Sequence, residues 1–135
     1  MLKLIIGKKG SGKTKTLISM VNDALNMTKG DVVCIEKGDK LKFDIRYQCR
    51  LIDAEEYLID DGQSLFGFIS GILASNHDVT DIFIDSALKI CDNKVDTFER
   101  FVLAVKAFAE DKGLNVVMTV SSAPDALPEA VRALI

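Results

Sequence analysis

Apolar residues in this chain come in short runs separated by stretches of helical periodicity, the pattern of strands buried on both faces alternating with amphipathic helices. Leu2 to Ile6 is the first run, apolar but for Lys3; Val32 to Ile35, Ile82 to Asp85 and Val116 to Val120 follow. From Lys13 onward Leu17, Ile18, Val21 and Leu25 fall on one helical face, and Gly30 is placed to end that helix. Phe43 to Ile52 alternates, with Phe43, Ile45, Tyr47, Cys49 and Leu51 on one side, and predicts a further strand at a sheet edge. Ser64 to Ala74 predicts a well-buried helix in which Gly67 and Gly71 allow close packing. Asp96-Thr97-Phe98-Glu99 has the form of a capping box, opening a helix that continues through Phe101, Val102, Val105, Phe108 and Ala109 to Gly113. A short last helix is expected from Leu127 to Leu134, near Pro128. Strands alternating with helices predict an α/β fold, a mostly parallel sheet of about five strands covered by helices on both faces, with ligands at the carboxyl ends of the strands.

At 135 residues the chain fits one domain, 1–135, and no linker, repeat or low-complexity segment divides it. The net charge of −3 argues against a general nucleic-acid or membrane-surface binder. Positive charge is nevertheless gathered locally, in Lys8, Lys9, Lys13 and Lys15, and again in Lys37, Lys40, Lys42, Arg46 and Arg50, which reads as a solvated loop face. The first apolar run is too short for a signal peptide or a membrane span, so a cytoplasmic location is expected. Cys34, Cys49 and Cys91 include no C-x-x-C pair and read as reduced, buried small hydrophobes. His77 is the single histidine, expected in the loop before a strand, and excludes histidine-cluster chemistry.

The strong chemical signal is Gly7-Lys8-Lys9-Gly10-Ser11-Gly12-Lys13-Thr14, which follows the first predicted strand and opens the first predicted helix. In the pattern G-x-x-x-x-G-K-[ST], glycines let the backbone curl so that successive N–H groups point at a di- or triphosphate, and the helix N-terminus adds its partial positive charge. The reading is that the backbone from Gly10 to Lys15 holds a nucleoside triphosphate, Lys13 neutralises its β- and γ-phosphates, and the Thr14 hydroxyl ligates Mg²⁺. A second metal contact is then expected at the carboxyl end of another strand, where Ile82-Phe83-Ile84 runs into Asp85.

By these residues the chain resembles the P-loop NTPase superfamily, Gly7 to Thr14 matching its Walker A motif and Ile82 to Asp85 its Walker B motif. Within it the chain is most similar to a minimal RecA-like or FtsK-like ATPase core. The resemblance implies Mg²⁺ and ATP as cofactors, and a γ-phosphate-sensing role for the polar end of the strand after Walker B, where Thr119, Ser121 and Ser122 stand. Many such ATPases place a glutamate directly after the Walker B aspartate, whereas this chain has Ser86 there. Glu36, at the end of the second strand, is the substitute base that the resemblance to RecA-type enzymes implies. Neither a positioned base after Asp85 nor an arginine-rich lid is legible, so slow hydrolysis or an ATP-dependent switch role is expected.

Two rival readings use the same letters. Asn93-Lys94-Val95-Asp96 matches the N-K-x-D guanine-selecting motif of Ras-like GTPases, with Ser122-Ala123 downstream and Asp60-Asp61-Gly62-Gln63 hinting at their switch sequence. In that family a strand feeds directly into the asparagine, whereas here Ser86 to Asp92 intervene, and Asn93 and Asp96 are explained as helix-start residues. The other rival is a non-hydrolysing nucleotide-binding module whose loaded form docks on a protein partner, the face from Lys37 to Arg50 being the docking surface.

Overall fold

Every expected apolar run is a strand. In the computed structural model, which describes residues 1–135, the strands are β1 (Leu2–Gly7), β2 (Asp31–Glu36), β3 (Arg50–Asp53), β4 (Val79–Ile84) and β5 (Asn115–Ser121). They form one sheet in the order β1-β5-β4-β2-β3, and every neighbouring pair is parallel. The helices are α1 (Lys13–Met27), α2 (Gly62–Ser75), α3 (Ala87–Ile90), α4 (Val95–Lys112) and α5 (Glu129–Arg132).

A parallel sheet is stable when both faces are covered, and the two covers differ. One face packs on the larger core, in which Ile35, Ile82, Ile84, Val116 and Met118 from the strands meet Leu65 and Ile69 of α2 and Phe98, Phe101, Val102 and Val105 of α4. The opposite face is covered by Leu17 and Val21 of α1, packed on Val32, Cys34, Phe83 and Val117. A single helix is too narrow for that face. The segment between β2 and β3 completes it by inserting Leu41, Ile45 and Cys49 beside α1.

That segment corrects the strand expected over Phe43 to Ile52. Strand structure there is confined to β3, which does lie at the sheet edge. The preceding residues form turns in which Leu41, Ile45 and Cys49 are buried while Phe43 and Tyr47 are 89% and 92% exposed. The alternation arose from burial every fourth residue, interleaved with exposed aromatics, rather than from a pleat.

Three smaller expectations are corrected. Helix α1 ends at Met27, before Gly30, with the Thr28 N–H bonded to the Ala24 carbonyl; Gly30 is instead packed against Thr80 and the Asp78 carbonyl. No capping box opens α4, whose N-cap is Lys94 and makes no side-chain cap. The capping box belongs to α2, where Asp61 accepts from the Ser64 N–H at 2.7 Å. Close helix contact is made not at Gly67 and Gly71, which have open space around them, but at Gly62, whose α-carbon faces the Thr97 carbonyl and Phe101 of α4.

Gly62→Ala should therefore lower stability by about 1–3 kcal/mol, as overpacking does, measured by denaturant melting. Ala at Gly67 is the control and should leave the midpoint unchanged or raised. The cysteines give a second test. All three are buried and free, and burial pushes the Cys34 thiol well above its ordinary value, Cys49 to about 11 and Cys91 to about 12. A thiol-specific alkylating reagent at about pH 8 should modify none of them in the folded protein and all of them in denaturant, since the thiolate is the reactive form. Unfolded thiols ionise from an ordinary value of 9.0, while the folded ones hold their protons to about 11 and 12, so stability should fall as pH rises through that window.

Candidate functional site

The glycine-rich loop joins β1 to α1 at the carboxyl edge of the sheet. Gly10 and Gly12 sit at φ +84° and +88°, a conformation that side-chain-bearing residues rarely adopt, and Gly12 serves as the N-cap of α1. Within the turn the Ser11 N–H donates to the Lys8 carbonyl at 3.1 Å. Lys13 folds back into the loop: its side chain is 8% exposed, and Nζ donates to the Lys8 carbonyl at 2.9 Å and to Ser11 Oγ at 3.4 Å. The ammonium group is thus held by neutral oxygens alone.

Asp85 follows β4 on the same edge. Its Oδ1 accepts from Thr14 Oγ1 at 3.2 Å and from Thr119 Oγ1 at 2.8 Å. Thr119, 1% exposed in β5, also accepts the Ser86 N–H at 2.7 Å. Ser86 has φ +58°, a turn of the chain that β4 makes on leaving the sheet. One buried hydroxyl therefore orients the carboxylate and satisfies the N–H of the strained residue beside it.

These groups face a cavity of about 390 Å³. Lys9, Gly10, Lys13 and Thr14 form one wall; Asp85 and Ser86, Lys89 of α3 and Asn93 form another. Ser121 closes the end of β5, and Lys40 and Leu41 reach in from the turns after β2. Among the expected site residues, the structure brings Lys9, Gly10, Lys13, Thr14 and Asp85 together here. Gly7, Lys8, Ser11 and Gly12 shape the loop behind them, the Gly7 carbonyl accepting the Ser122 N–H at 3.0 Å, while Lys15 is exposed on the first turn of α1.

Glu36 is not on the cavity wall. It is 2% exposed, and its carboxylate accepts the Lys40 N–H at 3.0 Å and the Leu41 N–H at 3.2 Å. Burial pushes its carboxyl above the ordinary range, against the lowering effect of those N–H bonds, and the charges of Asp85 and Asp53 push the same way as burial. Of the three polar residues expected at the end of β5, Ser121 reaches the cavity, Thr119 lies beneath Asp85, and the Ser122 hydroxyl donates to the Ala123 carbonyl. Lys89 and Asn93 were not expected beside the glycine-rich loop in this cavity, and Lys40 read as part of a solvated face. No local spacing marks them, because the turns after β2 and β4 bring them in.

The chain is thus a single-domain α/β fold, a sheet of five parallel strands with helices on both faces and a glycine-rich loop at its carboxyl edge, an architecture compatible with a RecA-like core. The particular likeness is to a crystal structure of the flagellar accessory protein FlaH from Methanocaldococcus jannaschii, at a TM-score of 0.62 and 18% identity, over 98% of this chain and 65% of that one. The chain thus spans less than two thirds of FlaH. No family model matches the chain, and no curated protein matches it by sequence. No helix is long and apolar enough to cross a membrane.

Thr119→Val keeps the shape of the buried side chain and removes its hydroxyl, leaving the Ser86 N–H without a partner and Asp85 with one donor fewer. The expected cost is about 1–3 kcal/mol of stability, read by thermal or denaturant melting. Thr119→Ser, which retains the hydroxyl, should recover part of that loss.

Proposed function

We propose that this chain binds Mg-ATP in the cavity at the carboxyl edge of the sheet, with slow hydrolysis or an ATP-dependent switch as the consequence. The single observation that carries this reading is the approach of Thr14 Oγ1 to Asp85 Oδ1, 3.2 Å apart across 71 residues of sequence, beside the buried Lys13 ammonium. A hydroxyl and a carboxylate facing each other suit a divalent ion that takes its remaining ligands from phosphate oxygens and water. When bound, Mg²⁺ would neutralise phosphate charge. Lys13 would move from the Lys8 carbonyl to the β- and γ-phosphates, while Lys9 and the loop backbone from Gly10 to Lys15 hold the chain of phosphates in place.

Slow turnover follows from the surroundings. Ser86 stands where a water-polarising carboxylate would be useful, and the Glu36 carboxylate is occupied by two backbone N–H groups. Groups that position water and neutralise developing charge supply factors of roughly 10³ to 10⁵. The GTP reading has less behind it. Asn93 follows α3 rather than a strand, Asp96 is exposed in the first turn of α4, and Asp61 and Gly62 begin α2.

Calorimetric titration with ATP and GTP, each with and without Mg²⁺, tests the proposal. ATP should bind more tightly than GTP, and Mg²⁺ should strengthen its binding. Lys13→Ala should weaken it by about a hundredfold, the loss of a charge-assisted contact, and Asp85→Ala should weaken the dependence on Mg²⁺ specifically. Unchanged affinity in Lys13→Ala would sink the assignment. Phosphate release on the same sample separates slow hydrolysis from a non-hydrolysing module.

A further inference from the structure

We propose that Lys40 and Lys89 are phosphate-contacting residues supplied by this same chain, that Glu36 positions Lys40, and that the cavity is thereby fitted to a triphosphate in preference to a shorter phosphate chain. This rests on the nucleotide-binding reading given above.

Four lysines, Lys9, Lys13, Lys40 and Lys89, line the cavity against a single acidic residue, Asp85. None of the four is in an ion pair; the ion pairs of the structure are Lys42–Asp39, Lys106–Glu110 and Lys112–Asp111, on outer surfaces. Unpaired like charges around one concavity repel one another and raise the local concentration of anions. A surplus of three positive charges is more than a monophosphate satisfies. With Mg²⁺ added beside Asp85, the anion that comes closest to balance is the one carrying most charge, a nucleoside triphosphate.

The position of Lys40 is constructed. Glu36 ends β2 and turns its buried carboxylate onto the N–H groups of Lys40 and Leu41. Asp53, at the end of β3, accepts the Gly38 N–H at 2.8 Å and fixes the same turn from the other side. Leu41 is 3% exposed and packed in the core beneath α1. The backbone of Lys40 is therefore held between a carboxylate clamp and a core anchor, while its side chain is free to reach phosphate. Lys89 is carried by α3, which is held to the sheet by buried Ala87, Leu88 and Ile90. Both lysines line the same cavity as the glycine-rich loop, where they can share the γ-phosphate with Lys13. They place positive charge there without a residue from a second subunit.

The test is calorimetric titration of the full chain with Mg-ATP, Mg-ADP and AMP. Lys40→Ala and Lys89→Ala should each weaken Mg-ATP by about tenfold, the worth of one charged contact, and weaken Mg-ADP less. Both lysines are exposed, so their melting temperatures should match the wild type. Lys40→Arg should restore most of the loss. Glu36→Gln should weaken Mg-ATP in the wild-type background and have no further effect in Lys40→Ala, which separates positioning of Lys40 from a general structural defect. Wild-type affinity in both Lys40→Ala and Lys89→Ala, or equal losses for ATP and ADP, would overturn this inference while leaving the binding proposal standing. Failure of the wild type to bind any of the three nucleotides would overturn both.

Discussion

The placement of β5 between β1 and β4 is the constraint on which the rest depends. Parallel pairing on both sides fixes its register, with Gly7 opposite Ser121 and Ile84 opposite Met118, so the ends of all three strands emerge on one edge. The glycine-rich loop and Asp85 are thereby brought level, although neither determines the position of the other in sequence. Thr119 occupies the position in β5 from which a hydroxyl reaches both the carboxylate of Asp85 and the amide of Ser86. A buried polar group inside a parallel sheet is costly when unpartnered. This one has partners because the strand that carries it runs between the two that end at the site.

Covering such a sheet from both sides shapes the rest of the molecule. Four helices serve one face, but α1 stands alone on the other, and the turns from Lys37 to Cys49 act as its companion. Burying a Leu or Ile side chain contributes about 1.5–3 kcal/mol, so Leu41 and Ile45 can hold an irregular segment in place without regular backbone pairing. The clamps made by Glu36 and Asp53 then determine where that segment stands over the cavity. Core packing and site geometry are joined in the same few residues.

The parts of the fold legible in the sequence were those dominated by one periodicity. Val32 to Ile35 and Ile82 to Ile84 are buried on both faces and read as unbroken apolar runs; Val116 to Val120 is buried throughout with Thr119 its one polar residue, and the edge run Leu2 to Ile6 reads as apolar but for its exposed Lys3. The glycine-rich loop was legible because its residues act at fixed local spacing, and Asp85 because an apolar run ends at it. Phe43 to Ile52 misled because period-two and period-four burial look alike when aromatics occupy the exposed positions. Asp96 and Glu99 imitated a capping box, although the helix begins without one and Asp61 with Ser64 makes the real one. Lys40, Lys89 and Asn93 meet the loop through turns whose paths depend on tertiary packing, so no window of sequence contained the relation.

Lys13 already has an acceptor, the Lys8 carbonyl 2.9 Å away within its own loop. Any phosphate that enters must compete with that carbonyl rather than meet a bare charge. Association is then an exchange of partners, and the affinity reflects the difference between two contacts instead of the full strength of one.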